Sequence, residues 1–243
     1  MVLPYTYEQQ NLRNAFQPPS AEHWMGTDNL GRDMTVRIAY GARISLQVGF
    51  TASFLSLAIG IFYGAIAGYL GGAADLLLMR IVEIFSSVPQ LLYVILLAQL
   101  FPRGGISSII IVIGLTGWMQ TARVVRGDVL SLKTREYVLA AWVSGVRDSV
   151  IITRHLIPNA IGSIIVSLTM SVPGAIFTEA TLQFLGAIGS VVPSWGGLAN
   201  EGMRALRSNP HLMIFPSLFI SITILAFTIL SDALQQAFDP RKR

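Results

Sequence analysis

The chain has 243 residues, of which 53% are hydrophobic and 12% charged, with a formal net charge of +4. Soluble domains carry about a quarter of their residues as charged groups, so this composition excludes an ordinary water-soluble globule and points to one helical membrane domain. The absence of cysteine excludes disulfides and thiolate metal sites. The cations lie in short loops beside apolar stretches and not in a stripe interleaved with aromatics, which argues for membrane topology and against nucleic acid as the cause of a pI near 9.7.

Five stretches, 44–74, 84–101, 104–122, 156–178 and 212–231, carry no charge. Each is near the length of about 20 residues that crosses a hydrocarbon core as helix. The first holds Gly60, Gly64, Gly68 and Gly72, four glycines at i+4 spacing that predict one helix face approached closely by another helix. A second span beginning near Met79 opens with Arg80 and Glu83 close enough to pair, and Pro89 predicts a kink within it.

Between the third and fourth stretches lies a basic, amphipathic segment, 123–159. Val138, Trp142, Val146 and Val150 recur every four residues and predict a helix over 137–150 with an apolar stripe. Such a helix either lies on the inner membrane surface or docks in a groove of a soluble partner. Gly145 in its middle suggests a bend or a close approach, and Ile157-Pro158 marks a stop before the next span.

The fourth stretch carries Ser167, Thr169 and Ser171, then Pro173-Gly174, then Thr178 and Glu179. A broken helix with a carboxylate suits a polar route through the membrane, because a charge facing lipid costs several kcal/mol. The alternative places Glu179 near the outer interface, paired with an arginine. The Gly- and Pro-rich segment 190–202 reads as an external, partly re-entrant piece with Trp195 at headgroup depth, followed by a short basic turn to Asn209. The histidines His23, His155 and His211 share no ligand spacing and read as structural or interfacial.

Loop charge sets the orientation. Ten Lys and Arg residues fall on the face holding 71–83, 123–155 and the C-terminus, against seven on the other face, which places the former in the cytoplasm. Five spans then put residues 1–43 outside, with no apolar segment ahead of them to carry them across.

Ala140-Ala141, three residues, Gly145, nine residues and His155-Leu156-Ile157-Pro158 resemble the signature of ABC-importer permeases, with Leu139, His155 and Ile157 departing from its common form. Gly26-Thr27-Asp28 through Asp33, Gly41 through Leu46, Glu179 through Gly186, and Ser231-Asp232 through Phe238-Asp239-Pro240 are similar to the C-type permease of dipeptide, oligopeptide and nickel importers. The resemblance is collinear over essentially the whole chain.

It implies an all-α integral membrane protein with five transmembrane helices, the type I ABC-importer permease core, and a cytoplasmic coupling helix between spans 3 and 4. It also implies a first span upstream of Met1. The expected organisation is an external segment 1–43, a permease domain 44–239 with a coupling loop 123–158, and a cytoplasmic tail 240–243. The residues expected to couple to the ATPase are Glu136, Tyr137, Val138, Ala140, Ala141, Trp142, Gly145, Val146 and Pro158.

No Gly-x4-Gly-Lys-Ser/Thr loop occurs, so the chain is not expected to be an enzyme or to hold a cofactor. The resemblance assigns ATP and Mg to two ATP-binding subunits, beside a homologous second permease, an external substrate-binding protein and membrane lipid, in a bacterial plasma membrane. A self-contained secondary transporter or channel using Glu179 is the competing reading.

Overall fold

The computed structural model describes residues 5–100, 105–187 and 192–238. The expected tail 240–243, together with Arg103, Gly104, Ser190 and Asp239, lies outside the described residues. No β-strand occurs among the described residues, only one isolated antiparallel bridge between Thr27 and Asp33.

Helix α1 (Met34–Leu70) has 37 residues, about 55 Å at 1.5 Å per residue. It begins ten residues before the uncharged stretch does. Asp33 starts it, accepting at Oδ1 from the Val36 amide at 2.9 Å, the side-chain cap that a helix N-terminus requires. Arg37 is accommodated because carboxylates from other parts of the fold surround it, so counting charges alone set the boundary too late. Gly71 and Gly72 then take φ of +65° and +56° and end the helix. Gly72 therefore opens α2 instead of extending the glycine face of α1, contrary to the expected four-glycine face.

Helices α2 (Gly72–Ser87) and α3 (Gln90–Gln99) meet at a bend of 83°. Pro89 causes more than a kink: Val88 ahead of it is extended, with ψ of 132°, as the clash with a following proline ring demands. Helices α4 (Gly105–Thr116) and α5 (Trp118–Leu132) follow, and together qualify as one span of 28 residues. Arg123 and Arg126 thus sit on α5, inside the helix and not in the loop assigned to them.

Helix α6 (Glu136–Val143) is only eight residues long. Next come α7 (Asp148–Val150), a π-helical turn (Ile151–Leu156) and α8 (Ile157–Asn159), leading to α9 (Ile161–Phe184). Pro158 does not stop the chain as expected. It sits in the first turn of α8, where its missing N–H is least costly, directly after the wider π turn. Pro173 lies inside α9, which continues through it, so the expected break in this helix does not occur.

Ser194 caps α10 (Trp195–Met203) through the Gly197 amide at 3.3 Å. Trp195 is buried, donating from Nε1 to the Ile38 carbonyl at 3.0 Å, which overturns its expected place among lipid headgroups. Helix α11 (His211–Phe238) closes the chain. Among the described residues, four helices are long and apolar enough to cross a membrane, and a fifth crossing results if the bent α2–α3 pair is one span.

Two compact units are built from these elements. The first comprises Met1–Phe50, Ile95–Ile110 and Pro173–Ala226. Its core is Met34, Ile38, Trp195, Leu198 and Leu212, with Phe215 and Phe219 packed against it. The second comprises Thr51–Val94, Ile111–Val172 and Phe227–Arg243. Leu57, Ala65, Val125, Val129, Val138, Ile151, Leu156 and Ile164 form its core, and this core carries α6.

Candidate functional site

Within the second unit, one side of α6 is anchored and the other is bare. Val138 is buried among Ala65, Val125 and Val129, and Ala141 and Val146 pack against the same cluster. Tyr137, Leu139, Trp142 and Val143 face away from it, with Trp142 64% and Val143 79% exposed. Glu136 and Ala140 are exposed as well, and Glu136 occupies the first turn, where a carboxylate suits the positive end of the helix dipole. A short helix with four large apolar side chains in the open lies outside the candidate spans.

Gly145 fixes where α6 stops. Its φ is +76°, its amide donates to the Trp142 carbonyl at 3.0 Å, and the Val146 amide donates to the Ala141 carbonyl at 3.1 Å. These two bonds satisfy the last carbonyls of α6 in a Schellman cap. An added Cβ at Gly145 meets nothing within 4 Å, so no described part of this chain approaches it closely, and within the chain the glycine serves backbone conformation. The helix expected over 137–150 is therefore two pieces, and the i+4 stripe is broken between Trp142 and Val146. Pro158, on α8, is exposed and does not join the face formed by α6.

The glycine face is real for three of its four members. A Cβ at Gly60 would lie 2.6 Å from Thr121 Cβ, one at Gly68 would lie 2.8 Å from the Arg126 carbonyl, and one at Gly64 would run into the Ala122 carbonyl. Helices α1 and α5 thus touch at backbone distance. Beyond them, Arg126 grips Asp75 with both ends of its guanidinium, at 2.5 and 2.6 Å. Lys133 donates to the Gly68 carbonyl at 2.9 Å, and Tyr69 to Asp148 Oδ1 at 2.6 Å.

Three hydroxyls of α9 bond to carbonyls of their own helix. Thr169 donates to the Ile165 and Val166 carbonyls, Ser171 to Leu168 and Thr178 to Gly174. Each hydroxyl is satisfied by its own helix. Ser167 is half-buried and Pro173 buried. Glu179, in the first unit, has no solvent exposure. Its Oε2 accepts from the Ser45 hydroxyl at 2.9 Å, and Ser194 interacts with the same carboxylate. No arginine partner is found for it among the described residues.

A charge network in the first unit lay beyond the sequence reading. Arg37, 3% exposed, donates to Asp28 Oδ2 at 2.5 Å and to both oxygens of Glu201 at 2.7 and 3.1 Å, while Arg32 holds Asp28 at 2.6 Å. His23 Nδ1 lies 2.7 Å from Asp33 Oδ2. The only sequence signal was the i+4 spacing of Asp28 and Arg32; Glu201 is 164 residues from Arg37. A cavity of about 290 Å³ opens beside this network, floored by Phe16, Met34, Leu198 and Leu212.

Residues 60–243 match the family described as "Binding-protein-dependent transport system inner membrane component". The chain belongs to this family. The oligopeptide transport system permease protein OppC of Bacillus subtilis (strain 168) is 48% identical over 244 residues, covering 100% of this chain and 80% of that protein. The dipeptide transport system permease protein DppC of the same organism is 47% identical over 242 residues, covering 99% and 75%. OppC of Escherichia coli (strain K12) is 40% identical, covering 100% and 81%.

Among solved structures, inward-facing forms of the MetNI methionine ABC transporter match with a TM-score of 0.68 at 18% identity, over 84% of this chain and 97% of that one. A crystal structure of an amino acid ABC transporter with histidines matches with a TM-score of 0.58 at 14% identity, over 84% and 94%. The fold is that of ABC-importer membrane subunits. The family member described here is a non-catalytic permease subunit, and ATP hydrolysis belongs to separate subunits of such importers. The five-span reading agrees with this fold when the bent α2–α3 pair counts as one crossing.

Proposed function

We propose that this permease forms half of the translocation pathway of a bacterial importer for dipeptides or oligopeptides, and that α6 is its docking helix for an ATP-binding subunit. The observation that carries the docking role is the exposed apolar set Tyr137, Leu139, Trp142 and Val143 on a helix whose opposite side is fixed in the core. Water is a poor neighbour for four such side chains, and a groove on a soluble partner would bury them as helix anchors. The peptide substrate class is supported by the full-length similarity to peptide permeases. Residues 1–43 lie outside the cell and the C-terminus inside, and Ser167, Thr169, Ser171, Pro173 and Thr178 belong to the helix nearest the route.

The assembled importer pairs this chain with a homologous permease over two ATP-binding subunits, which hold ATP and Mg, while an external binding protein delivers the substrate. Closure of the ATPases moves α6, and differential contacts in the two nucleotide states convert that movement into inward or outward opening. Proteoliposomes containing all of these subunits, supplied with labelled di- and oligopeptides, test the reading. Uptake is expected to require both ATP and the binding protein. ATP-independent uptake by this chain alone, driven by an ion gradient, would reject it in favour of a secondary transporter.

A further inference from the structure

Three polar ties converge on eight residues at the corner between α1 and α2. Arg126 on α5 forks onto Asp75; Lys133, just past α5, donates to the Gly68 carbonyl; and Asp148, the first residue of α7, accepts from Tyr69. Lys133 and Asp148 flank α6 in sequence on its two sides. The segment bearing α6 is thus held at both ends to one short stretch, 68–75. We propose that this corner is the point at which movement of α6 is passed to α2, and that Asp75, Arg126 and Tyr69 are positioning residues for the transfer. This rests on the reading of α6 as the ATPase-docking helix.

The chemistry suits a strut better than a sliding surface. Apolar side chains exchange neighbours at little cost, whereas a forked guanidinium–carboxylate pair holds only in one geometry. The Asp75 side chain is 9% exposed and that of Arg126 32%, so separating them would leave a largely buried carboxylate without its counter-charge. The Lys133 ammonium sits at the C-terminal end of α1, where the helix dipole favours a cation. It also fills the space that a Cβ on Gly71 would need, 2.8 Å away.

What the corner leads to is also specific. Gly71 and Gly72, both at positive φ, turn the chain into α2, the first half of the pair bent by 83°. Tyr69 itself packs on the core that holds Val138, Ala141 and Val146. A displacement of α6 therefore reaches the end of α1 through one packed face and the Lys133 and Tyr69 ties, and the first turn of α2 through the Arg126–Asp75 fork from α5, while the docking face of α6 remains open.

The test uses the complete importer with its ATP-binding subunits in proteoliposomes. Asp75→Asn, Arg126→Gln and Tyr69→Phe are expected to keep the ATPases bound and hydrolysing, while substrate carried per ATP falls about fivefold or more, the lower range of coupling between sites. Exchanging the charges, Asp75→Arg with Arg126→Asp, should recover part of the loss. Because this chain has no cysteine of its own, Leu76→Cys and Ser144→Cys, labelled before assembly with the other subunits, are its only spin-labelled sites. In the unmodified background their separation should stay constant between nucleotide states, and in Tyr69→Phe it should vary.

Unmodified transport per ATP in all three single variants would overturn the proposal, as would a label separation that already changes with nucleotide in the unmodified complex. If Asp75→Asn does not fold, Tyr69→Phe, which deletes one exposed hydroxyl, decides the matter. A docking defect is distinguishable: it appears as ATPases that fail to co-purify, and its absence in Trp142→Ala would reject the role of α6 without any change in the corner variants.

Discussion

The Ser45 hydroxyl donates to Glu179 Oε2 at 2.9 Å while accepting from the Trp195 amide at 3.3 Å, so one serine joins α1, α9 and the start of α10. All three residues are buried. A carboxylate enclosed in this way acts as a latch among helices of the first unit, which differs from the solvent-connected position a coupling cation would need.

Glu179→Gln keeps an oxygen for Ser45 and is expected to transport at close to the unmodified rate. Glu179→Ala leaves the Ser45 and Ser194 hydroxyls without this acceptor and should cost about 1–3 kcal/mol. Thermal unfolding in detergent, read beside peptide uptake, separates the two. Complete loss of transport in Glu179→Gln with unchanged stability would restore the ion-coupled reading.

Trp142→Ala should weaken binding of the ATP-binding subunit by tenfold or more, since truncating a large interface anchor costs about 2 kcal/mol. The thermal stability of the permease should be unchanged, because Trp142 is 64% exposed within this chain. Val138→Ala should behave in the opposite way, losing stability through a cavity in the core of the second unit. Titration of the ATPase against each detergent-solubilised variant measures the binding, and thermal unfolding in detergent measures the stability.

At Gly145, substitution acts through φ of +76° and not through a clash. Gly145→Ala and Gly145→Leu are therefore expected to destabilise the end of α6 equally, by about 1–2 kcal/mol, and Gly145→Asn by less, since asparagine tolerates the left-handed conformation. Hydrogen exchange of the α6 amides reports this. Docking affinity that falls much further for Leu than for Ala would mean that the partner approaches this glycine closely.

Gly64 and Gly72 should respond differently to alanine although the sequence places them on one i+4 series. A Cβ at Gly64 collides with the Ala122 carbonyl, which is backbone and has to move; at Gly72 it meets nothing within 4 Å and carries only the cost of φ at +56°. Gly64→Ala should thus lower the yield of folded protein in the membrane more than Gly72→Ala. Size-exclusion profiles of the two variants in mild detergent decide the order.

The sequence by itself determined the class of protein, the family and the site of the exposed helix, because apolar length and motif spacing are properties of consecutive residues. Of the four glycines it placed on one close-packing face, three pack closely in the fold. Tertiary structure decided the rest. Where α1 begins depended on Asp33 as cap and on Arg37 being neutralised by Asp28 and Glu201, far away in the chain. The length of α6 depended on the backbone conformation at Gly145, which a helical stripe with period four conceals. Trp195 entered a core instead of an interface because Ile38 offers its carbonyl there. The corner at 68–75 was invisible for the same reason: Asp75 and Arg126 are 51 residues apart and Tyr69 and Asp148 are 79 apart, and a charge on a linear chain carries no record of the partner that folding brings to it.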